Sequence, residues 1–192
     1  MLSKRWKLAT VLAGACLLGG LLFRHHAPVV APAELPAGSL VLREGRMYPR
    51  AGGGPFTGNM FERSYTGQRL SEVPLKEGIV HGLARGWYDS GALETEERFD
   101  QGLSQGVRQR WHANGKLKSE ATVVKGQLQG TYQEWFDSGI RAVATTLVDG
   151  KAHGLCESWH PDGTLKSRVQ LELGNPTTTQ FFTLGTQEVI AP

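Results

Sequence analysis

His81, His112, His153 and His160, Cys156, and a basic cluster between Arg108 and Lys118 are the groups in this sequence with chemistry to offer. A metal ion would need three or four ligands converging on one point. His112 and His160 hold the same place in a repeated pattern, two repeats apart, which separates them by about 19 Å at ordinary strand spacing. That is too far to share an ion. Cys16 lies in an N-terminal apolar run and Cys156 in the last full repeat, so the pair gives no disulfide framework. The sequence holds neither an HExxH motif nor a GxSxG elbow. Its Gly-x3-Gly stretches, such as "GLSQG" from Gly102, precede no helix that could present a phosphate site. Enzymatic, cofactor and metal chemistry are therefore not expected. Binding is.

The elements that would carry a binding surface are repeated. Units run 79–102, 103–126, 127–150 and 151–174 without a gap. Each holds a tryptophan (Trp87, Trp111, Trp135, Trp159), a glycine four residues on (Gly91, Gly115, Gly139, Gly163) and a closing glycine (Gly102, Gly126, Gly150, Gly174). A weaker unit at 55–78 lacks the tryptophan, and 175–192 reads as a degenerate cap, with Phe181 and Phe182 in place of the aromatic pair. A fixed period with atypical ends marks a repeat architecture.

The triplets "DSG", "ANG", "DSG" and "PDG" have the chemistry of three-residue hairpin loops, a type I turn closed by a glycine at positive φ. Such loops set Trp87 beside Leu93, Trp111 beside Leu117 and Trp159 beside Leu165. Two-residue alternation then carries that face to Phe99, Val123, Leu147 and Leu171. The expected fold is all-β, an elongated twisted antiparallel sheet of consecutive hairpins with one apolar and one charged face. One Trp per unit beside a leucine reads as a buried core ladder rather than a sugar or membrane platform.

Charge is unevenly spread. Residues 79–102 sum to −3 and residues 103–126 to +4. In the second unit Arg108, Arg110, His112, Lys116 and Lys118 are expected together on the polar face, an electropositive patch for an acidic protein surface or anionic lipid heads. The competing reading is cross-strand pairing, with Glu96 near Arg110, worth at most about 1 kcal/mol when exposed.

The formal charge of +3 does not imply nucleic-acid binding. Without Lys4, Arg5, Lys7 and Arg24, only 17 basic residues face 18 acidic ones. Those four flank the apolar run "LATVLAGACLLGGLLF", which is expected to form one N-terminal helix about 24 Å long. Residues 1–26 read as a signal anchor or signal peptide, 27–38 as a Pro/Ala-rich spacer and 39–192 as the repeat domain. Basic residues before the run orient a single pass with the repeats outside the cytoplasm. Cleavage after Ala33 and lipidation of Cys16 in "LAGAC" are the alternatives.

With "PFTG" at Pro55 and the unit hG-x4-Wh-x2-G-x-L-x8-G, residues 40–174 resemble the MORN-repeat variant of bacterial YwqK-like proteins. That resemblance implies a non-enzymatic β-ribbon interaction module. It also implies an exported antitoxin or immunity-type protein that neutralises a toxin or secreted lipase effector, and it carries over no catalytic residue. A membrane-tethered scaffold or lipid-associated envelope protein is the alternative function. Membrane contact is expected through the N-terminal segment of a protein in the bacterial inner membrane, facing the periplasm. Full-length protein should then fractionate with membranes and a chain beginning at Glu34 should be soluble. Recovery of both forms in the soluble periplasm at the cleaved mass would mean processing instead.

Overall fold

A computed structural model describes residues 33–183 and 186–190. Two turn types generate the chain path. At Lys125–Gly126 the backbone takes φ of 50° and then 81°, and the same left-handed pair recurs at Gln101–Gly102, Asp149–Gly150 and Leu173–Gly174. This is the two-residue type I′ turn, whose twist matches that of the strands it joins. The second turn is the three-residue loop. Gly91 N donates to the Tyr88 carbonyl at 2.8 Å and Tyr88 N to the Ala92 carbonyl at 2.9 Å, with Gly91 at φ 84°.

Alternating these turns gives a long, twisted 15-stranded sheet. Its long strands follow one another in sequence: Gly58–Arg63, Arg69–Lys76, Gly82–Trp87, Leu93–Asp100, Gly106–Trp111, Leu117–Val124, Gln127–Trp135, Arg141–Val148, Lys151–Trp159, Leu165–Glu172, Asn175–Thr183 and Thr186–Ile190. Neighbours are antiparallel throughout, except that Glu34–Pro36 runs parallel to Asn59–Phe61 at the first edge. Each closing glycine also reaches back to the second residue of its own unit. Gly126 N donates to the Ser104 carbonyl at 2.8 Å, Gly150 N to Leu128 at 2.9 Å and Gly174 N to Ala152 at 2.7 Å.

Leu40–Arg43 and Arg46–Pro49 form a separate two-stranded hairpin outside the repeat pattern. It seals the first unit: Leu40, Phe56 and Leu75 are buried against Leu35, Met47, Met60 and Val80. Farther along, the buried hydrophobic residues are Ala121, Val123 at 1% exposure, and Leu147. Val123 lies opposite Gly106 and Leu147 opposite Gly130, so one large side chain per unit covers a residue that has none.

Three expectations need correction. Trp87, Trp111 and Trp159 do lie opposite Leu93, Leu117 and Leu165, but all four tryptophans are only half-buried. Beside each tryptophan the register shifts by one residue, so the returning strand carries an extra residue and loses its two-residue alternation. Counted along the unbulged strand, Trp111 points away from Gly106, Arg108 and Arg110, hence away from Val123. The tryptophans and the buried stripe occupy opposite faces. Neither face is wholly apolar.

The second correction concerns the helix. Among the described residues there is no α-helix, only a 3-10 turn at Ala37–Ser39, and no helix there is long and apolar enough to cross a membrane. The described residues are all-β, and the run at 8–23, where the helix was expected, lies outside them. The third concerns the spacer. Its end, Glu34–Pro36, is a sheet strand, held by Arg69, whose guanidinium donates to Glu34 at 2.8 and 3.3 Å. Composition hid this, because a three-residue edge strand needs no hydrophobic pattern of its own.

Leu75→Ala should destabilise the protein by roughly 2–5 kcal/mol. Leu103→Ala, at a half-exposed site, should stay within about 0.5 kcal/mol. Urea midpoints of the two variants check this, and equal midpoints would refute Leu75 as a core residue of the sealed N-terminal cluster.

Candidate binding surface

The five basic residues of the central unit have different fates. Arg108 lies opposite Ala121, half-buried, and its guanidinium donates to Glu97 at 2.5 Å. His112 bonds through Nε2 to the Trp135 carbonyl at 2.8 Å; since a carbonyl only accepts, that nitrogen carries the proton. The Lys116 ammonium donates to the Ser138 carbonyl at 2.6 Å. Beside it Asn114 donates to the Asp137 carbonyl at 2.8 Å. Arg108, His112 and Lys116 are thus tied to neighbouring strands and loops.

Arg110 and Lys118 remain. Both are exposed, and neither forms an ion pair among the described residues. Glu96, expected beside Arg110, instead lies opposite Arg85 and Gln109 and accepts from Arg85 at 2.8 Å. Arg110 lies opposite Thr95 and Ser119, on the other face. With Tyr88, Glu94, Thr95 and Trp111, Arg110 and Lys118 line a cavity of about 330 Å³. Glu94 and Lys118 are the extra residues of their respective bulges, which is how side chains from a bulge and a regular strand meet at one cleft. The Tyr88 hydroxyl donates to the Trp111 carbonyl at 2.7 Å and fixes that wall.

Behind Arg110, Tyr132 and Glu134 share a strand face, and the Tyr132 hydroxyl donates to the Glu134 carboxylate. Desolvation first, then that hydrogen bond and the Glu134 charge, push the Tyr132 phenol up to about 12, against the opposing pull of Arg110. The opposite face carries a ladder that charge sums along the sequence do not reveal. Arg85 pairs with Glu96, Gln109 donates to Glu120 at 2.8 Å and Arg168 donates to Glu157 at 2.8 Å, all in cross-strand register. Its signal in the sequence is the like-placed polar residues before each tryptophan.

The turn glycines Gly91, Gly115, Gly139 and Gly163 sit at φ between 81° and 90°. Three of them face the preceding loop: a Cβ on Gly139 would stand 3.5 Å from Lys116, and one on Gly163 would stand 3.7 Å from Ile140. Among the described residues no group of three or more His, Cys, Asp or Glu could hold a metal.

The profile of the family described as MORN repeat variant matches residues 104–125 and 152–172. These two stretches coincide with the central and last full units, and repeats of this family commonly serve as protein- or lipid-binding modules. A search of curated proteins found no match.

Because the Tyr132 phenol is raised in the folded state, its contribution to stability is complete below pH 10 and is lost as pH rises through about 12. Phenolate absorbance should show one tyrosine titrating late. Glu134→Gln should bring it back toward the ordinary value, and an unchanged late titration would exclude Glu134 as a cause.

Proposed function

We propose that the chain is a non-enzymatic protein-binding module that meets an acidic partner surface at Arg110 and Lys118. The observation behind this reading is the contrast among strand cations. Arg85, Arg108 and Arg168 each sit on a glutamate, whereas Arg110 and Lys118 share one cleft without such a partner among the described residues. Exposed cations on a sheet raise the local concentration of acidic partners and speed their encounter. Glu94 in the same cleft adds orientation, favouring a hydrogen-bond donor beside the partner's carboxylate.

Within that reading, the resemblance to YwqK-like proteins favours an exported antitoxin or immunity-type protein, one that neutralises a toxin or secreted lipase effector by covering it. The corresponding location is the bacterial inner membrane, with the repeats in the periplasm. The second reading is a membrane-tethered scaffold or lipid-associated envelope protein, favoured by the lipid-binding members of the repeat family.

Arg110→Glu with Lys118→Glu tests the first reading. Each change is at an exposed strand position and should shift stability by only about 0.5 kcal/mol. Association with the co-expressed product of the adjacent gene should slow at least tenfold, and added salt should slow the unaltered protein in the same way. Undiminished association at low salt would remove the cleft from the interface. Retention on anionic vesicles, lost in the double variant, would favour the lipid reading.

A further inference from the structure

Arg141 stands where the other complete units carry leucine. Leu93, Leu117 and Leu165 lie opposite Trp87, Trp111 and Trp159, while Arg141 lies opposite Trp135. Its guanidinium sits 5.5 Å from the ring centroid of Trp159 in the next unit. Arg141 is exposed and forms no ion pair among the described residues. Trp135, Ile140, Arg141, Trp159 and the turn glycines Gly139 and Gly163 together line a cavity of about 360 Å³. That size falls in the range of small-ligand sites.

Two half-buried indoles in successive hairpins stand about 9–10 Å apart at ordinary strand spacing. An indole face is electronegative and takes either a cation or polarised C–H groups. With Arg141 over Trp159, its guanidinium offers N–H donors at this cavity in a fork that fits a carboxylate. A lipid chain would gain nothing from the cation. The structure assigns this cavity to an acidic sugar, a pyranose ring with one carboxylate, its C–H face on an indole and its carboxylate on Arg141. The site is separate from the Arg110–Lys118 cleft.

Trigalacturonate and its uncharged counterpart, galactotriose, are the probes, titrated into the full-length protein with tryptophan fluorescence and calorimetry as readouts. Trigalacturonate should bind and galactotriose should bind at least tenfold more weakly. Arg141→Leu restores the residue of the other three units, so it should fold. It should weaken trigalacturonate binding at least tenfold, and Arg141→Lys should weaken it less. Arg110→Glu with Lys118→Glu should leave it unchanged. The assignment is overturned if trigalacturonate does not bind, if galactotriose binds equally well, or if Arg141→Leu has no effect. It is also overturned if the loss follows the Arg110 and Lys118 changes instead.

Discussion

Each unit of this sheet is closed on itself by one backbone hydrogen bond, donated by the glycine of its left-handed turn to the carbonyl of the unit's second residue. Much of the architecture follows from that bond. The residue before the glycine must also take positive φ, and Gln101, Lys125, Asp149 and Leu173 all do, although such a conformation costs an ordinary residue about 1–2 kcal/mol. The cost is tolerated because the type I′ turn matches strand twist and delivers the glycine N–H to an otherwise unpaired carbonyl. A longer or shorter unit would miss that carbonyl. In each 24-residue unit the bond joins the last residue to the second.

The features of the fold legible in the sequence are those governed by glycine. The loop triplets set the pairing of Trp87 with Leu93 and of its counterparts, because only one register closes a three-residue loop. The bulge beside each tryptophan was not legible. Its extra residue is Glu94, Lys118, Ala142 or Lys166 in the four units, and no chemistry is common to them. Missing that one residue turned the tryptophans onto the wrong face. The hairpin at 40–49 was also hidden, since it lies outside the period and its burial depends on Phe56 and Leu75.

The basic cluster shows why charge alone identifies a surface poorly. Arg108 and Arg110 are two residues apart on one strand and share a face, yet Arg108 meets Glu97 and Arg110 meets no carboxylate among the described residues. The difference comes from a neighbouring strand, not from either arginine. Lys116 similarly looks free until the next loop is stacked against it and its ammonium reaches Ser138. What distinguishes a binding residue here is the absence of a neighbour that the repeat elsewhere supplies. The repeats therefore act as internal controls for one another, and Arg141 against three leucines is the plainest departure.

The strand order has a mechanical consequence. The first strand of the sheet, Glu34–Pro36, and the last, Thr186–Ile190, lie at opposite edges, with the sheet's other long strands between them. Tension between the two ends therefore pulls across the ladder, along the hydrogen bonds rather than in shear against a whole row at once. Strand pairs loaded that way separate in succession, like the teeth of a zipper. A protein built so yields in increments of one hairpin, and each released unit lengthens the chain while the rest of the sheet stays paired.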